Sequence, residues 1–265
     1  MRLKIRHTTR YDFENPVSYG LQQLRKTPKS IRAQDVVSWI TQVEGGRKEL
    51  SFEDYHHNVV ELISFESDTQ TLIVRCEGEV EMTETHGVVG PHRGPTPLWL
   101  FNRPTPRTKV GPGCRSLLRK VEGDTDLERC HALSAAIREE VDYEIGASNP
   151  DWTAEDALTN KRGVCQDHTH VFLACARELG IPARYVSGYL KMDHGDEQDA
   201  SHAWAEAHVK DLGWVGFDIS NAISPDMRYV RVATGLDYSE AAPVSGTRYG
   251  GAGEKLSVEI EVAQQ

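Results

Sequence analysis

The sequence predicts an α+β protein. Short stretches of alternating apolar and polar residues recur through residues 1–85. Apolar spacings of three and four then run from Leu127 to Leu179, and alternation returns from Arg184 onward. Strands, then helices, then strands again give segregated layers rather than a βαβ alternation.

Taken in order, residues 1–85 read as an all-β, sandwich-like N-terminal domain. Leu3-Lys4-Ile5-Arg6 alternates, and so does 35–44, which ends at Gly45-Gly46. Runs at 59–65 and 71–76 follow at short spacing with turn signals between them. Residues 86–113 are rich in Gly and Pro, as in Gly90-Pro91 and Gly111-Pro112-Gly113, and read as a linker or covering segment. Within it Leu98-Trp99-Leu100-Phe101 is apolar enough to pack across the two halves. Residues 114–225 form the expected core. Thr125 is a candidate N-cap before Leu127, Cys130, Leu133, Ile137 and Val141, and Thr153-Ala154-Glu155-Asp156 resembles a capping box. A third helix begins near Cys165, carries the stripe Val171, Cys175, Leu179, and stops at Gly180 with Pro182 beyond. Strands follow at 184–190, 202–209 and 214–219, with a polar loop at 193–199. Residues 226–265 are a tail with a last alternating strand at 256–262.

Composition excludes several function classes. Hydrophobic residues make up 38% and charged residues 26%, the profile of a globular chain, and a net charge of -10 argues against nucleic acid or an anionic membrane as partner. No apolar run approaches the roughly 20 residues of a spanning helix. The N-terminus alternates and lacks the apolar segment of a signal peptide, which favours a cytoplasmic location. The five cysteines are odd in number with no C-x-x-C pair, so a disulfide framework or zinc ribbon is not expected, and most should be buried thiols.

One cysteine stands apart. Cys165 falls where a helix should begin, so the helix dipole and free N–H groups favour a thiolate and face a developing oxyanion. Its neighbours Gln166, Asp167 and His168 are polar, whereas Cys175 lies on the apolar stripe and should be inert. His202 opens a strand whose one face is Ala203, Ala205, Ala207 and Val209, and whose other is His202, Trp204, Glu206 and His208. A Cys–His pair requires the polar face to lie against the helix of Cys165. Asp218 can orient His202 only if both share a face of the hairpin. A three-residue turn at Lys210-Asp211-Leu212, with Gly213 as a bulge, puts Asp218 across from Trp204 and diagonal to His202. Tyr143, Gln166 and Trp204 are candidate substrate-contact or oxyanion residues, and Tyr185 and Tyr189 are candidate cleft aromatics. A zinc site is the rival use of these residues, but His168 and His170 point to different helix faces, and His202 and His208 are roughly 20 Å apart on a strand. No metal or organic cofactor is expected. His56-His57 is expected at the surface.

Arg162-Gly163-Val164-Cys165-Gln166-Asp167, the segment 180–189 and Ser201-His202-Ala203-Trp204-Ala205-Glu206 resemble the bacterial transglutaminase-like family, and Asp218 matches its third motif. Arg10-Tyr11 and Asn15-Pro16-Val17 resemble the N-terminal domain of these proteins. Gly235-Leu236-Asp237-Tyr238 resembles the tail motif, with Leu236 where arginine is usual. The resemblance implies a papain-like transglutaminase core with Cys165 as nucleophile, His202 as acid/base and Asp218 as orienter. It implies a peptide or protein substrate and does not fix the reaction; acyl transfer through a thioester is expected, with hydrolysis favoured over glutamine–amine crosslinking because a cytoplasmic crosslinking enzyme would endanger its own cell. A non-catalytic peptide-binding scaffold is the alternative of another class.

Overall fold

The computed structural model describes residues 1–193, 195–198 and 200–265; His194 and Asp199, both in the polar loop expected at 193–199, lie outside the described residues. Five strands come first: β1 (Arg2–Thr27), β2 (Gln34–Glu44), β3 (Gly46–Glu53), β4 (Val59–Phe65) and β5 (Thr69–Met82). A short strand β6 (Val88–Gly90) and a 3-10 turn at Leu98–Asn102 lead to α1 (Pro112–Leu118), α2 (Asp126–Glu140), β7 (Asp142–Tyr143), α3 (Ala154–Asn160), β8 (Arg162–Gly163) and α4 (Cys165–Glu178). Then come β9 (Ala183–Leu190), β10 (Glu197–Gln198), β11 (His202–Val209), β12 (Gly213–Phe217), β13 (Tyr229–Gly235), α5 (Tyr238–Ala241), β14 (Val244–Gly250) and β15 (Glu254–Gln264). Sheets, helices and a strand-rich N-terminal region are thus present as the sequence predicts.

The first sheet is built around β1, 26 residues long and buried at every second position from Leu3 to Phe13. Up to Phe13 it lies between β5 and β15; beyond Pro16 the same strand runs between β4 and β14. The change of partners falls at Asn15-Pro16, where a residue without an N–H interrupts the ladder. Of the 226–265 segment, β14 and β15 are therefore wound into this sheet, with Leu3 opposite Gln264 and Leu24 opposite Val244.

The second sheet has the order β13-β9-β11-β12-β6 and is antiparallel throughout. Against it packs α4, buried along its length from Asp167 to Arg177. That burial all round is why the expected stripe of three residues understates its role. Both predicted N-caps form: the hydroxyls of Thr125 and Thr153 accept from the N3 backbone of α2 and α3, and Glu128 and Asp156 reciprocate. Gly180, at φ +80°, ends α4 in the left-handed region.

The 86–113 segment covers the second sheet. Val88 and Gly90 pair with β12, and buried Phe101 stands edge-on to Trp214 at 5.1 Å, while Trp99 faces solvent. His57 is exposed, but His56 is not at the surface: its side chain is 1% accessible and its Nε2 lies 2.8 Å from Glu240, which α5 brings over it.

Lys26 on β1 is enclosed at the junction of the two sheets. Its ammonium donates to Thr9 Oγ1 and, at 3.2 Å, to His7 Nε2, while His7 Nδ1 lies 2.9 Å from Tyr189 Oη on β9. Burial, then the Lys26 charge, holds His7 well below its usual pKa, so the neutral ring accepts at Nε2 and donates at Nδ1. Burial pulls Lys26 down from 10.5 to about 8. The unfolded chain then holds this proton more tightly than the folded one between those values, and stability rises with pH across that window. Lys26→Met, which leaves the Thr9–His7 bond intact, is expected to stabilise the protein by about 3 kcal/mol at pH 7. The gain should shrink between about pH 8 and 10.5. Denaturant unfolding of both proteins at pH 7 and pH 10 reads this directly.

Candidate active site

Cys165 is the first residue of α4. Gly163 precedes it because the Asp167 side chain lies where a Cβ would be, with 2.7 Å from the ideal Cβ position to Asp167 Cβ. The Asp167 carboxylate accepts from the Val164 N–H at 2.8 Å and so closes the N-terminal turn. The amides of Asp167 and His168 bond back to Val164 O, whereas those of Cys165 and Gln166 have no intrahelical acceptor and sit at the positive end of the dipole. Of the five cysteines only Cys165 is partly accessible; the other four are buried. The hydrogen bond with Cys114, then burial, push the Cys175 thiol well up, in keeping with its expected inertness.

The alanine face of β11 packs on α4, contrary to the expectation for the polar face. Ala203, Ala205 and Ala207 share a core with Val171, Phe172 and Cys175, because short side chains let the helix approach the sheet closely. His202 reaches Cys165 from the end of β11, the two being the first residues of their elements. The hairpin has the odd turn that a triad requires. Val209 pairs with Gly213 and Ala205 with Phe217, leaving Lys210 to Leu212 as the turn and Asp218 diagonal to His202. Gly213 takes φ +80° with Gly90 O where a Cβ would stand, so no other residue fits there without a shift.

His202 Nε2 lies 2.7 Å from Asp218 Oδ2, which leaves Nδ1 as the ring nitrogen for the thiol. The Asp218 carboxylate is enclosed. Its Oδ2 also accepts from Tyr229 Oη and Asn221 Nδ2, each at 2.7 Å, and Oδ1 accepts from the Asn221 N–H at 3.2 Å. Burial disfavours the imidazolium of His202, but the hydrogen bonds to Asp218 and Cys165 and their charges outweigh it, and its pKa is raised to about 10. Burial pushes Asp218 up as well; its bond and charge interaction with His202 prevail, and its carboxyl is held below the usual range.

A cleft of about 540 Å³ opens over this pair. Tyr143, Val164, Gln166 and Tyr185 line it on the helix side, and Met192, Gln198, Ser201 and Tyr238 on the other. Tyr143 is 43% exposed; desolvation, then the charges of Cys165 and Asp218, raise its hydroxyl to about 12, so it is a neutral donor beside the thiol. Gln166 faces the cleft, but its Nε2 donates to Pro150 O at 3.1 Å. Trp204 is buried behind His202, the rings 29° from parallel with centroids 6.3 Å apart, and is not among the described residues that line the cleft. Tyr185 faces the cleft, whereas Tyr189 turns to His7.

Tyr229 and Asn221, which hold Asp218, have no signal in the sequence beyond an aspartate needing further donors. His168 and His170 do not converge. His168 bonds Ser220 Oγ and Val141 O, and burial lowers its pKa to about 4, while His170 Nε2 accepts from the Tyr238 N–H.

Residues 3–81 match the bacterial transglutaminase-like N-terminal region, and residues 115–219 match the transglutaminase-like superfamily core. An uncharacterized protein of Mycobacterium leprae is 27% identical over 99% of both chains. A protein-glutamine gamma-glutamyltransferase of Pseudomonas aeruginosa is 27% identical over 48% of this chain, which spans 22% of that protein. Among solved structures, a protein of Cytophaga hutchinsonii provisionally assigned as a cysteine protease superposes with a TM-score of 0.80. It is 21% identical, with 99% of this chain and 90% of that one covered, a likeness of fold.

Proposed function

The chain belongs to the transglutaminase-like superfamily and carries the bacterial transglutaminase-like N-terminal region, and we propose that it catalyses thiol-dependent acyl transfer on peptide or protein amide bonds. The observation that carries this proposal is the enclosed His202–Asp218 bond at 2.7 Å, beside the partly accessible thiol at the start of α4.

In the proposed mechanism the resting site is a Cys165 thiolate with a His202 imidazolium. The thiolate attacks the amide carbonyl carbon, and the N–H groups at the start of α4 receive the oxyanion. As the C–N bond breaks, Nδ1 of His202 gives its proton to the departing amine, leaving a thioester on Cys165. A second nucleophile then loses a proton to Nδ1 and attacks the thioester, and the C–S bond breaks to restore the ion pair. Asp218 accepts from Nε2 throughout and holds the ring's orientation and tautomer. Water is the acceptor in this proposal, since the described residues lining the cleft include no carboxylate to recruit a lysine ammonium. The Pseudomonas relative's name keeps amine transfer as the second reading.

Iodoacetamide is expected to alkylate Cys165 faster than a free thiol below pH 8, and His202→Ala should abolish that advantage. Labelling no faster than a free thiol, unchanged in His202→Ala, would leave a peptide-binding scaffold instead. Mass spectrometry of peptide mixtures, with and without an added amine, separates the branches. New termini mean peptidase action, a one-dalton gain deamidation, and amine adducts crosslinking.

A further inference from the structure

We infer that the substrate segment flanking the reacting amide is uncharged and carries an aliphatic or aromatic side chain. This rests on the acyl-transfer proposal only for where the amide sits. The chain is acidic, with 40 Asp and Glu against 30 Lys and Arg. Yet among the described residues lining the cleft, His202 is the sole member of the Asp, Glu, Lys, Arg and His class. The volume of about 540 Å³ falls within the range of ligand pockets, which are mostly apolar with a few orienting polar groups.

The amide side chains of the lining donate inward, which leaves neutral hydroxyls such as that of Tyr143 as the cleft's polar groups. Gln166 Nε2 donates to Pro150 O, Gln198 Nε2 donates to Leu190 O at 2.5 Å, and Asn221 Nδ2 donates to Asp218. The rim also presents apolar surface outward. Ile145 is 86% exposed and Met192 44%, and both line the cleft mouth. Ile145 follows β7 on the thiol side and Met192 follows β9 on the histidine side, so apolar surface flanks the reactive pair from two directions. A charged residue entering between them would lose water without gaining an oppositely charged partner among the described residues lining the cleft. An apolar one would cover surface that is otherwise wet.

The test uses the full chain with Cys165→Ala, which binds without turnover, and fluorescein-labelled peptides of one length. The residue beside a central glutamine is varied among Leu, Phe, Lys and Glu, on each flank in turn. Leu and Phe peptides are expected to bind about tenfold or more tightly than Lys and Glu peptides on at least one flank. Adding Ile145→Lys, on an exposed side chain, should bring the Glu peptide up towards the Leu peptide. Charged peptides binding as well as apolar ones, or no binding by any of the series, would overturn the inference. Turnover by the wild type is read separately. Selective binding without turnover sinks the acyl-transfer proposal alone, and turnover without selectivity sinks this inference alone.

Discussion

Asp218→Asn is expected to lower turnover about 10⁴-fold while the chain stays folded. The carboxylate sits among three donors on Oδ2 and one on Oδ1, so the amide must keep its oxygen at the Oδ2 position to avoid meeting N–H groups with an NH₂. Even then its nitrogen faces the Asn221 N–H, and the charge that stabilises the imidazolium is gone. The pH profile separates this from simple damage. His202 titrates at about 10 in the folded protein, so proton donation by Nδ1 should persist on the alkaline side until about pH 10. Its stabilising contribution is full below its ordinary value of 6.5 and is lost as pH rises towards 10. Asp218→Asn should move the alkaline limb of kcat/KM to lower pH. An unmoved limb with reduced turnover would mean that Asp218 acts on the fold and not on the histidine. Tyr229→Phe removes one donor and keeps the charge, and the milder loss of about tenfold is expected, with the limb shifted little.

The position of Cys165 was legible because its signals are local. A glycine, a polar triplet and an apolar helix place Cys165 at a helix start within a few residues of chain, and the capping boxes at Thr125 and Thr153 are equally short-range. The placement of Asp218 was legible over a longer range, since strand alternation leaves only odd turns compatible with a shared face. Partners distant in sequence escaped. Nothing near Leu3 says that it lies beside Gln264, and β3, reading Gly-Arg-Lys-Glu-Leu-Ser-Phe-Glu, is too polar to announce a strand. Helix α1 was hidden in a Gly/Pro-rich stretch, where Pro112 at its first turn reads as a breaker although that is the one helical position it suits. His56 could not be placed inside without α5, and Trp204 could not be turned from the cleft without Tyr229, which stands edge-on to it at 5.4 Å. Leu236, where the tail motif would have arginine, is buried against Phe101 and Trp214, and its carbonyl accepts from Arg177.

Glu206, four residues after His202, belongs to the same motif and is expected to carry stability instead of chemistry. Its side chain is enclosed, with Oε2 2.6 Å from Arg184 Nε and Oε1 3.0 Å from Arg231 Nε. Arg184 also lies 4.0 Å over the Trp214 ring, and burial draws its guanidinium down to about 10, so it stays charged at neutral pH. Burial pushes the Glu206 carboxyl up, but the two arginines outweigh it and hold it below the usual range. The trio ties β9, β11 and β13 together directly behind the strand that presents His202. Glu206→Ala leaves buried Arg184 and partly buried Arg231 facing a vacancy, and the expected cost is about 3 kcal/mol of unfolding free energy at pH 7. The sign with pH follows from the depressed carboxyl. The stabilisation it gives is present above the unfolded value near 4.5 and disappears as pH falls through the folded one, so the gap between wild type and variant should narrow in acid. Glu206→Gln, which keeps an acceptor for one arginine, should fall between the two. Denaturant unfolding at pH 7 and pH 4 measures all three. A catalytic role for Glu206 predicts something else: a folded Glu206→Gln whose Cys165 alkylates normally yet turns over no substrate.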